Sequence, residues 1–333
     1  MKIAVIGAGS IGGYLGAKLA LSGEDVTFLA RGATLEAIRA KGFTLIDENN
    51  VTEVAPAKAA EINCGQKFDV VFLGVKAHQM TAIAHQVTPL LGPDAPVVTL
   101  QNGIPWWYFY KVGGEFEGRT VEAADPGGVI AANIPNERII GTVVYPASEI
   151  VSPGVVKIIE GNRFSLGEPD NSKSERAEKI SEALKKAGFK APVVSDIRAE
   201  IWLKLWGNLT FNPISALTHA TLAGICRFPQ TRALAAAVMA EAQAVAERLG
   251  VRFRITIDKR IAGAEAVGEH KTSMLQDIEA GRPLELEGLV GGVIELARLT
   301  GVPTPSLDAV YACTALLGKT ANDAKSKLHL QPI

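Results

Sequence analysis

Three glycines near the start of the chain have the spacing that a phosphate-binding turn requires. Gly7, Gly9 and Gly12 form a G-x-G-x-x-G pattern between a short apolar run, residues 3–6, and a segment whose apolar residues recur with helical spacing. In such a turn the first glycine allows the tight bend, the second lets the backbone approach a pyrophosphate, and the third lets helix and strand pack closely. The pattern predicts a strand–turn–helix unit that binds a dinucleotide at the helix N-terminus. A glycine-rich turn without a ligand is the alternative.

The second predicted strand, residues 25–30, favours one form of the dinucleotide. An acidic residue at the end of this strand would hydrogen-bond a ribose 2′-hydroxyl. Arg31 stands there instead, and the next acidic residue is Glu36. Because a guanidinium pairs well with a phosphate group, Arg31 favours NADP(H) over NAD(H). The alternative is an ordinary surface arginine.

A second set of polar residues belongs to a predicted helix over residues 201–217. Lys204, Asn208 and Asn212 are four residues apart, so they lie on one stripe of that helix. Such a stripe is unusual for a buried helix face, which should be apolar. It indicates a candidate site, with a solvated polar face as the alternative. The apolar residues that can form the buried side are Trp202, Leu205, Trp206 and Leu209.

A third polar cluster follows at Ser273 and around two glutamates. Pro283 predicts the start of a helix that ends at Gly301, which places Glu285 in the first turn. The helix dipole stabilises a carboxylate there, so a capping role is one interpretation. Glu287 is a rival carboxylate, and spacing alone barely separates the two.

The order of the predicted elements indicates an α/β fold. Strands alternate with helices up to about residue 195, which predicts a Rossmann-type, doubly wound and mostly parallel sheet. Two buried strands, residues 69–75 and 96–100, end in polar residues at the edge where such sheets bind ligands. A strand is also predicted at residues 192–194. From residue 196 to residue 333 the apolar spacing is helical, which predicts an all-helical second domain.

One segment, residues 104–128, interrupts this alternation. It contains PWWYFY followed by several glycine-bearing turns. We interpret it as an insertion or lid near the edge of the sheet, with a homodimer contact as the alternative.

Composition restricts the class of protein further. The chain has 333 residues, of which 47% are hydrophobic and 21% charged, typical of a globular protein with two domains. A net charge of −1 argues against a general nucleic-acid binder. The three cysteines are far apart and predict neither a disulfide framework nor a metal site, which favours the cytoplasm. No apolar run reaches the roughly 18–20 residues that would span a membrane, and no signal peptide is evident.

Six motifs taken together carry a resemblance to a known family. They are KIAVIGAGSIGGYLGAKLA, the arginine after the second strand, VKAHQ, QNG, WLKLWGNLTFNPISAL and SMLQDIEAGRPLELEGLVG. In this order, over nearly the whole chain, they resemble the ketopantoate reductase (2-dehydropantoate 2-reductase) family. The resemblance implies an N-terminal Rossmann domain, a helical C-terminal domain, and NADPH-dependent reduction of a 2-keto acid in the cleft between them.

The resemblance also implies roles for individual residues. Lys204 matches the catalytic lysine, which would act as general acid, and Glu285 matches the active-site glutamate. The implied substrate contacts are Asn102, Asn208, Asn212 and Ser273. The implied cofactor-binding residues are Gly7, Gly9, Ser10, Ile11, Gly12, Arg31, Lys76 and Asn102. The PWWYFYKVGGEFEG stretch is longer and more aromatic than the resemblance leads us to expect, which indicates a reshaped substrate pocket.

The leading hypothesis is therefore the reduction of 2-dehydropantoate to pantoate with NADPH, a step in pantothenate and coenzyme A biosynthesis. A paralogue acting on another 2-keto acid would keep the same chemistry. A regulator that binds NADP(H) without turnover would leave the lysine, glutamate and asparagines without a common purpose. A catabolic hydroxyacid dehydrogenase would prefer NAD, against which Arg31 argues.

Overall fold

A computed structural model describes residues 1–324 of the chain. These residues form two compact units. The first comprises Met1–Thr120 and Asp125–Glu200, and the second comprises Val121–Ala124 and the chain from Ile201 onward. The carboxylate of Glu295 accepts hydrogen bonds from the backbone N–H groups of Glu122, at 2.7 Å, and Ala123, at 2.8 Å, which ties the short segment to the second unit. Residues 325–333, which the sequence assigns to the helical domain, lie outside the described residues.

The first unit is built on a seven-stranded sheet. Its strand order is β11-β8-β7-β6-β1-β2-β5, and every neighbouring pair is parallel except β8 and β11. Strands β6 and β8 are buried along their whole length because both faces of a parallel sheet are covered. The strands of this sheet are β1 (Lys2–Ile6), β2 (Asp25–Leu29), β5 (Lys58–Ala60), β6 (Val70–Leu73), β7 (Val97–Thr99), β8 (Ile139–Val144) and β11 (Phe164–Gly167).

A second sheet of four strands was not predicted, although the sequence predicts short strands at residues 43–46, 51–55 and 155–159. Its order is β4-β3-β10-β9, with β3 and β10 parallel and both outer pairs antiparallel. Strand β9 was missed because four of its six residues are exposed, so its apolar residues do not alternate with polar ones. Residues 192–194 do not form the predicted strand and contribute an isolated bridge of Val193 to Leu166. The strands are β3 (Phe43–Ile46), β4 (Thr52–Ala55), β9 (Ala147–Ser152) and β10 (Val155–Glu160).

The helix that follows the glycine turn, α1 (Ser10–Leu21), packs against both sheets. A Cβ built on Gly13 would overlap the ring of Phe43 in the second sheet, and one built on Gly16 would lie 2.6 Å from the ring of Phe28 in the first. The glycines of α1 therefore allow two aromatic rings to lie directly on the helix backbone. The other helices of this unit are α2 (Gly32–Lys41), α3 (Met80–Val87), α4 (Val129–Asn133) and α5 (Glu175–Lys186).

The aromatic residues at the start of the 104–128 segment belong to the core of the first unit, so for them the interpretation as a lid is wrong. Trp106, Trp107, Tyr108 and Phe109 are each at most 6% exposed. A Cβ on Gly141 of β8 would lie 2.6 Å from the ring of Trp107, so this glycine makes room for the indole. Burial of four large rings gives a sufficient physical reason for the composition of the segment. The homodimer prediction stays a prediction, and these buried rings do not supply its contact surface.

The second unit is helical. Helix α6 begins in the last residues of the first unit and passes through Pro213 without interruption. Pro229 opens α8, and Gly301 ends α11 in the left-handed conformation, as predicted. Within the described residues, no helix is long and apolar enough to cross a membrane. The helices are α6 (Ile197–Thr218), α7 (Leu222–Arg227), α8 (Pro229–Arg248), α9 (Ile257–Ala266), α10 (Ser273–Glu279), α11 (Gly292–Thr300) and α12 (Pro305–Ala324).

Candidate active site

The glycine turn between β1 and α1 is shaped by the protein's own packing at two of its three glycines. Gly7 has a φ of +95°, and a Cβ there would lie 2.8 Å from the backbone nitrogen of Val75. A Cβ on Gly12 would overlap the carbonyl oxygen of Gly7. Gly74, at the end of β6, is needed for the same close approach, since its Cβ would lie 2.9 Å from the Gly12 Cα. The spacing of the glycines at residues 7–12 gives no signal for Gly74, because it follows an apolar run far along the chain.

Gly9 is different, and it provides the test of whether a dinucleotide fits. A Cβ on Gly9 would have no atom of the described chain within 4 Å, so internal packing does not require glycine there. Gly9 is the N-cap of α1, and Ser10 and Ile11 are the first two residues of that helix. The first N–H groups of a helix lack partners within it and attract anions. The turn therefore fits a pyrophosphate, with Gly9 keeping the approach open.

Three other predicted cofactor residues follow the neighbouring strands of the same sheet. Arg31 is an exposed residue two positions after β2, at the N-cap position of α2. Lys76 follows β6 and Asn102 follows β7. Because β7, β6, β1 and β2 are adjacent and parallel, all these residues lie at one edge of the sheet, where open α/β sheets bind ligands.

A glutamine beside Asn102 fixes this edge. The side-chain Nε2 of Gln101 donates to the carbonyl oxygens of Leu73, at 3.0 Å, and Val75, at 2.9 Å. These bonds tie the end of β7 to the end of β6 and hold the backbone at Asn102. This role of Gln101 in the QNG motif was not predicted, because its partners belong to another strand.

Helix α6 presents the predicted polar stripe of the second unit. Lys204 and Asn208 are half-buried, and Asn212 is buried. The predicted apolar side is also present, because Trp202, Leu205, Trp206 and Leu209 are each at most 2% exposed. The indole nitrogen of Trp206 donates to the carbonyl oxygen of Met239 at 2.8 Å, which fixes α6 against α8. One side of α6 is therefore buried and bonded to α8, and the other side carries the polar stripe.

The Lys204 ammonium is electrostatically coupled to one of the two candidate glutamates. Burial lowers the pKa of Lys204 from 10.5 to about 8, and the negative charge of Glu285 raises it in part. A lysine with this pKa is largely protonated at neutral pH and can still give up its proton. This coupling distinguishes Glu285 from Glu287, which spacing could not do.

The segment around the two glutamates departs from the predicted helix. Pro283 does not begin a helix, and Glu285 lies before the first turn, which is a π-helical turn at Glu287–Gly291 leading into α11. Glycine is a poor helix former, and Gly288, Gly291 and Gly292 explain why the regular helix starts late. Glu287 is engaged elsewhere, since its Oε1 accepts a hydrogen bond from the Tyr311 hydroxyl at 2.7 Å.

Ser273 and Asn212 lie next to each other in the second unit, and their role as substrate contacts stays a prediction. The Asn212 side-chain amide donates to the Ser273 hydroxyl at 3.5 Å. Ser273 is the first residue of α10, whose N-cap Thr272 accepts from the backbone N–H of Leu275 at 3.3 Å. The cap fixes the helix start and with it the serine hydroxyl. In residues 1–324 no group of three His, Cys, Asp or Glu side chains is placed to hold a metal ion.

These features define the class of protein. A Rossmann-type sheet whose glycine turn fits a pyrophosphate, together with a helical unit in which a lysine of lowered pKa is electrostatically coupled to a glutamate, is typical of a nicotinamide-dependent oxidoreductase. Two family models match the chain: ketopantoate reductase PanE/ApbA over residues 3–171, and its C-terminal counterpart over residues 196–317. The chain belongs to the ketopantoate reductase family.

Individual relatives agree with this assignment. The chain is 56% identical to a 2-dehydropantoate 2-reductase of Mesorhizobium japonicum, covering 94% of this chain and 96% of that protein. A solved structure from Ralstonia solanacearum shares 40% identity, covers 96% of this chain and 98% of its own, and superposes with a TM-score of 0.91. A D-mandelate dehydrogenase with 23% identity, covering 97% of this chain and 100% of its own, shares the fold with a TM-score of 0.81.

Proposed function

We propose that this oxidoreductase reduces 2-dehydropantoate to pantoate with NADPH, as a cytoplasmic step toward pantothenate and coenzyme A. The observation that carries the proposal is the lysine of α6, Lys204, half-buried with a pKa near 8 and coupled to Glu285. The name of the 56% identical relative supports the choice of substrate. Cys64, Cys226 and Cys313 are free, which suits a reducing compartment.

The proposed roles follow from the chemistry of a carbonyl reduction. Bound NADPH supplies a hydride to the keto carbon. As negative charge develops on the keto oxygen, the Lys204 ammonium donates a hydrogen bond to that oxygen and then transfers its proton, so the product is an alcohol and the lysine is left neutral. Glu285 keeps the lysine protonated until that moment. Asn102, Asn208, Asn212 and Ser273 hold the substrate by hydrogen bonds.

The choice of NADPH depends on the first unit. Arg31 is an exposed cation two residues after β2, and its side chain makes no capping hydrogen bond to α2. A guanidinium in this position can pair with a 2′-phosphate, which NADPH has and NADH lacks. Gly7, Gly9, Ser10, Ile11 and Gly12 would hold the pyrophosphate, and Lys76 would add a second cation.

Substitution of the lysine tests the mechanism. We expect Lys204→Ala to lower kcat by several orders of magnitude, with NADPH binding by fluorescence and the circular dichroism spectrum unchanged. Leu203→Ala is the matched control, because this neighbouring side chain on α6 is 36% exposed and points away from the stripe. Near-normal turnover by Lys204→Ala would remove the lysine from the mechanism.

A further inference from the structure

The π-helical turn at Glu287–Gly291 begins two residues after Glu285. Its closing backbone bond runs from the N–H of Gly292 to the carbonyl oxygen of Glu287, which spans one residue more than in an α-helix. A π turn is rare and is found frequently at functional sites. The contacts that this turn makes with the rest of the second unit therefore bear on the position of Glu285.

Glu287, an exposed residue of the turn, makes one such contact through its Oε1 and lies against its own turn through its Oε2. Its Oε1 accepts from the Tyr311 hydroxyl at 2.7 Å. Its Oε2 lies over Gly291, so closely that a Cβ at this position would overlap it. The carboxylate can fold back along its own turn only because residue 291 is glycine.

Tyr311 is itself held in place by the helix that carries it. The N-terminus of α12 is fixed by Glu241 of α8, whose carboxylate accepts from the backbone N–H groups of Ser306, at 2.9 Å, and Leu307, at 2.8 Å. The tyrosine thus connects the π turn to a well-anchored helix pair.

We propose that Tyr311 and Glu287 form a positioning pair, which fixes the π turn and thereby sets Glu285 relative to Lys204. The inference rests on the proposed function, in which Glu285 acts on the lysine. Neither member of the pair is placed in contact with substrate. Their effect on the reaction is transmitted through the backbone of residues 285–287.

The pair holds its geometry over the working pH range. Burial, followed by the hydrogen bond and the charge of Glu287, raises the pKa of Tyr311 to about 12, whereas Arg298 on α11 lowers it. The hydroxyl therefore keeps its proton and remains a donor. A pH effect on catalysis consequently reports Lys204 and not the pair itself.

Tyr311→Phe tests the proposal because it removes only the hydroxyl. We expect kcat to fall about tenfold with the KM for NADPH unchanged. We also expect the alkaline limb of the kcat–pH profile to move to lower pH, because a displaced Glu285 no longer raises the pKa of Lys204. Glu287→Ala should do the same, whereas Glu287→Gln keeps an acceptor for Tyr311 and should retain most of the activity.

Gly291→Ala is an independent probe that pushes the Glu287 carboxylate away without altering either partner. Its matched control is Gly263→Ala on α9, where a Cβ meets no atom within 4 Å. Lys319→Ala, an exposed change on the same helix as Tyr311, controls for α12. Wild-type turnover is measured first, so absence of any 2-keto acid reduction rejects the proposed function. An active wild type whose Tyr311→Phe and Gly291→Ala variants keep its kcat and pH profile rejects the positioning pair.

Discussion

The acidity of Lys204 sets the pH range in which this enzyme should reduce its substrate. The lysine must be protonated to act as an acid, and its pKa lies near 8. We expect kcat for reduction to be constant below about pH 8 and to fall about tenfold per pH unit above it. Glu285→Gln removes a charge that raises this pKa, so the fall should begin at lower pH. A stopped-flow pH profile of each protein, with saturating NADPH, locates this alkaline fall. A fall at the same pH in the wild type and in Glu285→Gln would contradict the coupling.

The Arg31 side chain should decide between the two dinucleotides. We expect Arg31→Ala to raise the KM for NADPH about tenfold to a hundredfold, because a charge-assisted hydrogen bond contributes about 1.5–3 kcal/mol. The KM for NADH should change little. Arg39→Ala is a matched control, since Arg39 is also an exposed arginine and lies within α2. Its guanidinium lies 3.6 Å from the Glu36 carboxylate. An equal rise in KM for NADPH and for NADH would show that Arg31 does not select between them.

At the scale of residues, the sequence was informative where chemistry has a fixed spacing. The glycine turn and the polar stripe of α6 were predicted from the spacing of residues along the chain. Glu285 could be chosen over Glu287 only by resemblance, because the two differ in partners that lie far away in sequence. Tyr311 and Gln101 were missed for the same reason: their roles depend on hydrogen bonds to residues that are 24 and 26–28 positions distant.

The turn between β1 and α1 allows its two roles, packing and ligand binding, to be separated. We expect Gly12→Ala to lower stability, because the new methyl group overlaps the carbonyl oxygen of Gly7. Gly9→Ala should fold normally, because its methyl group meets no atom of the described chain, and it should lose NADPH affinity. Thermal melts and NADPH titrations of both variants measure this. Unchanged NADPH binding by Gly9→Ala would mean that the pyrophosphate lies elsewhere.

At the scale of elements, the buried strand β6 was predicted and the exposed antiparallel strand β9 was not. The run that contains β6 is apolar throughout, since both sheet faces are covered. Strand β9 has mostly exposed residues, among them Ile150 at 59% and Val151 at 54%, so its pattern resembles a loop. The aromatic segment was misread because its composition suits both a surface cover and a core. Only the tertiary contacts of Trp107 distinguish the two.

At the scale of the whole molecule, one buried charged side chain holds the backbone of the aromatic segment that contains Trp106 and Trp107. Arg198 is 5% exposed, and its guanidinium donates to the carbonyl oxygens of Tyr108, at 2.7 Å, Tyr110, at 2.6 Å, and Pro169. Burial lowers the pKa of Arg198. The three bonds compensate for removing the charge from water.

We expect Arg198→Met to reduce the free energy of unfolding of the first unit by about 3–5 kcal/mol, because three carbonyl oxygens, two of them in buried hydrogen bonds, lose their donor. Urea denaturation followed by tryptophan fluorescence is a suitable measurement, since Trp106 and Trp107 lie in this segment. Lys111→Met removes an exposed ion pair to Asp170 nearby and should cost less than about 1 kcal/mol. Equal losses in the two variants would show that the guanidinium has no special role.

The most direct test of the proposed activity is NADPH oxidation by the purified full chain. It is measured with 2-dehydropantoate beside a panel of other 2-keto acids, repeated with NADH, and compared with Lys204→Ala. We expect the highest kcat/KM for 2-dehydropantoate with NADPH, a marked preference for NADPH over NADH, and loss of turnover in the variant. A higher kcat/KM for another keto acid would reassign the substrate. NADPH binding without oxidation on any keto acid would contradict a reductase.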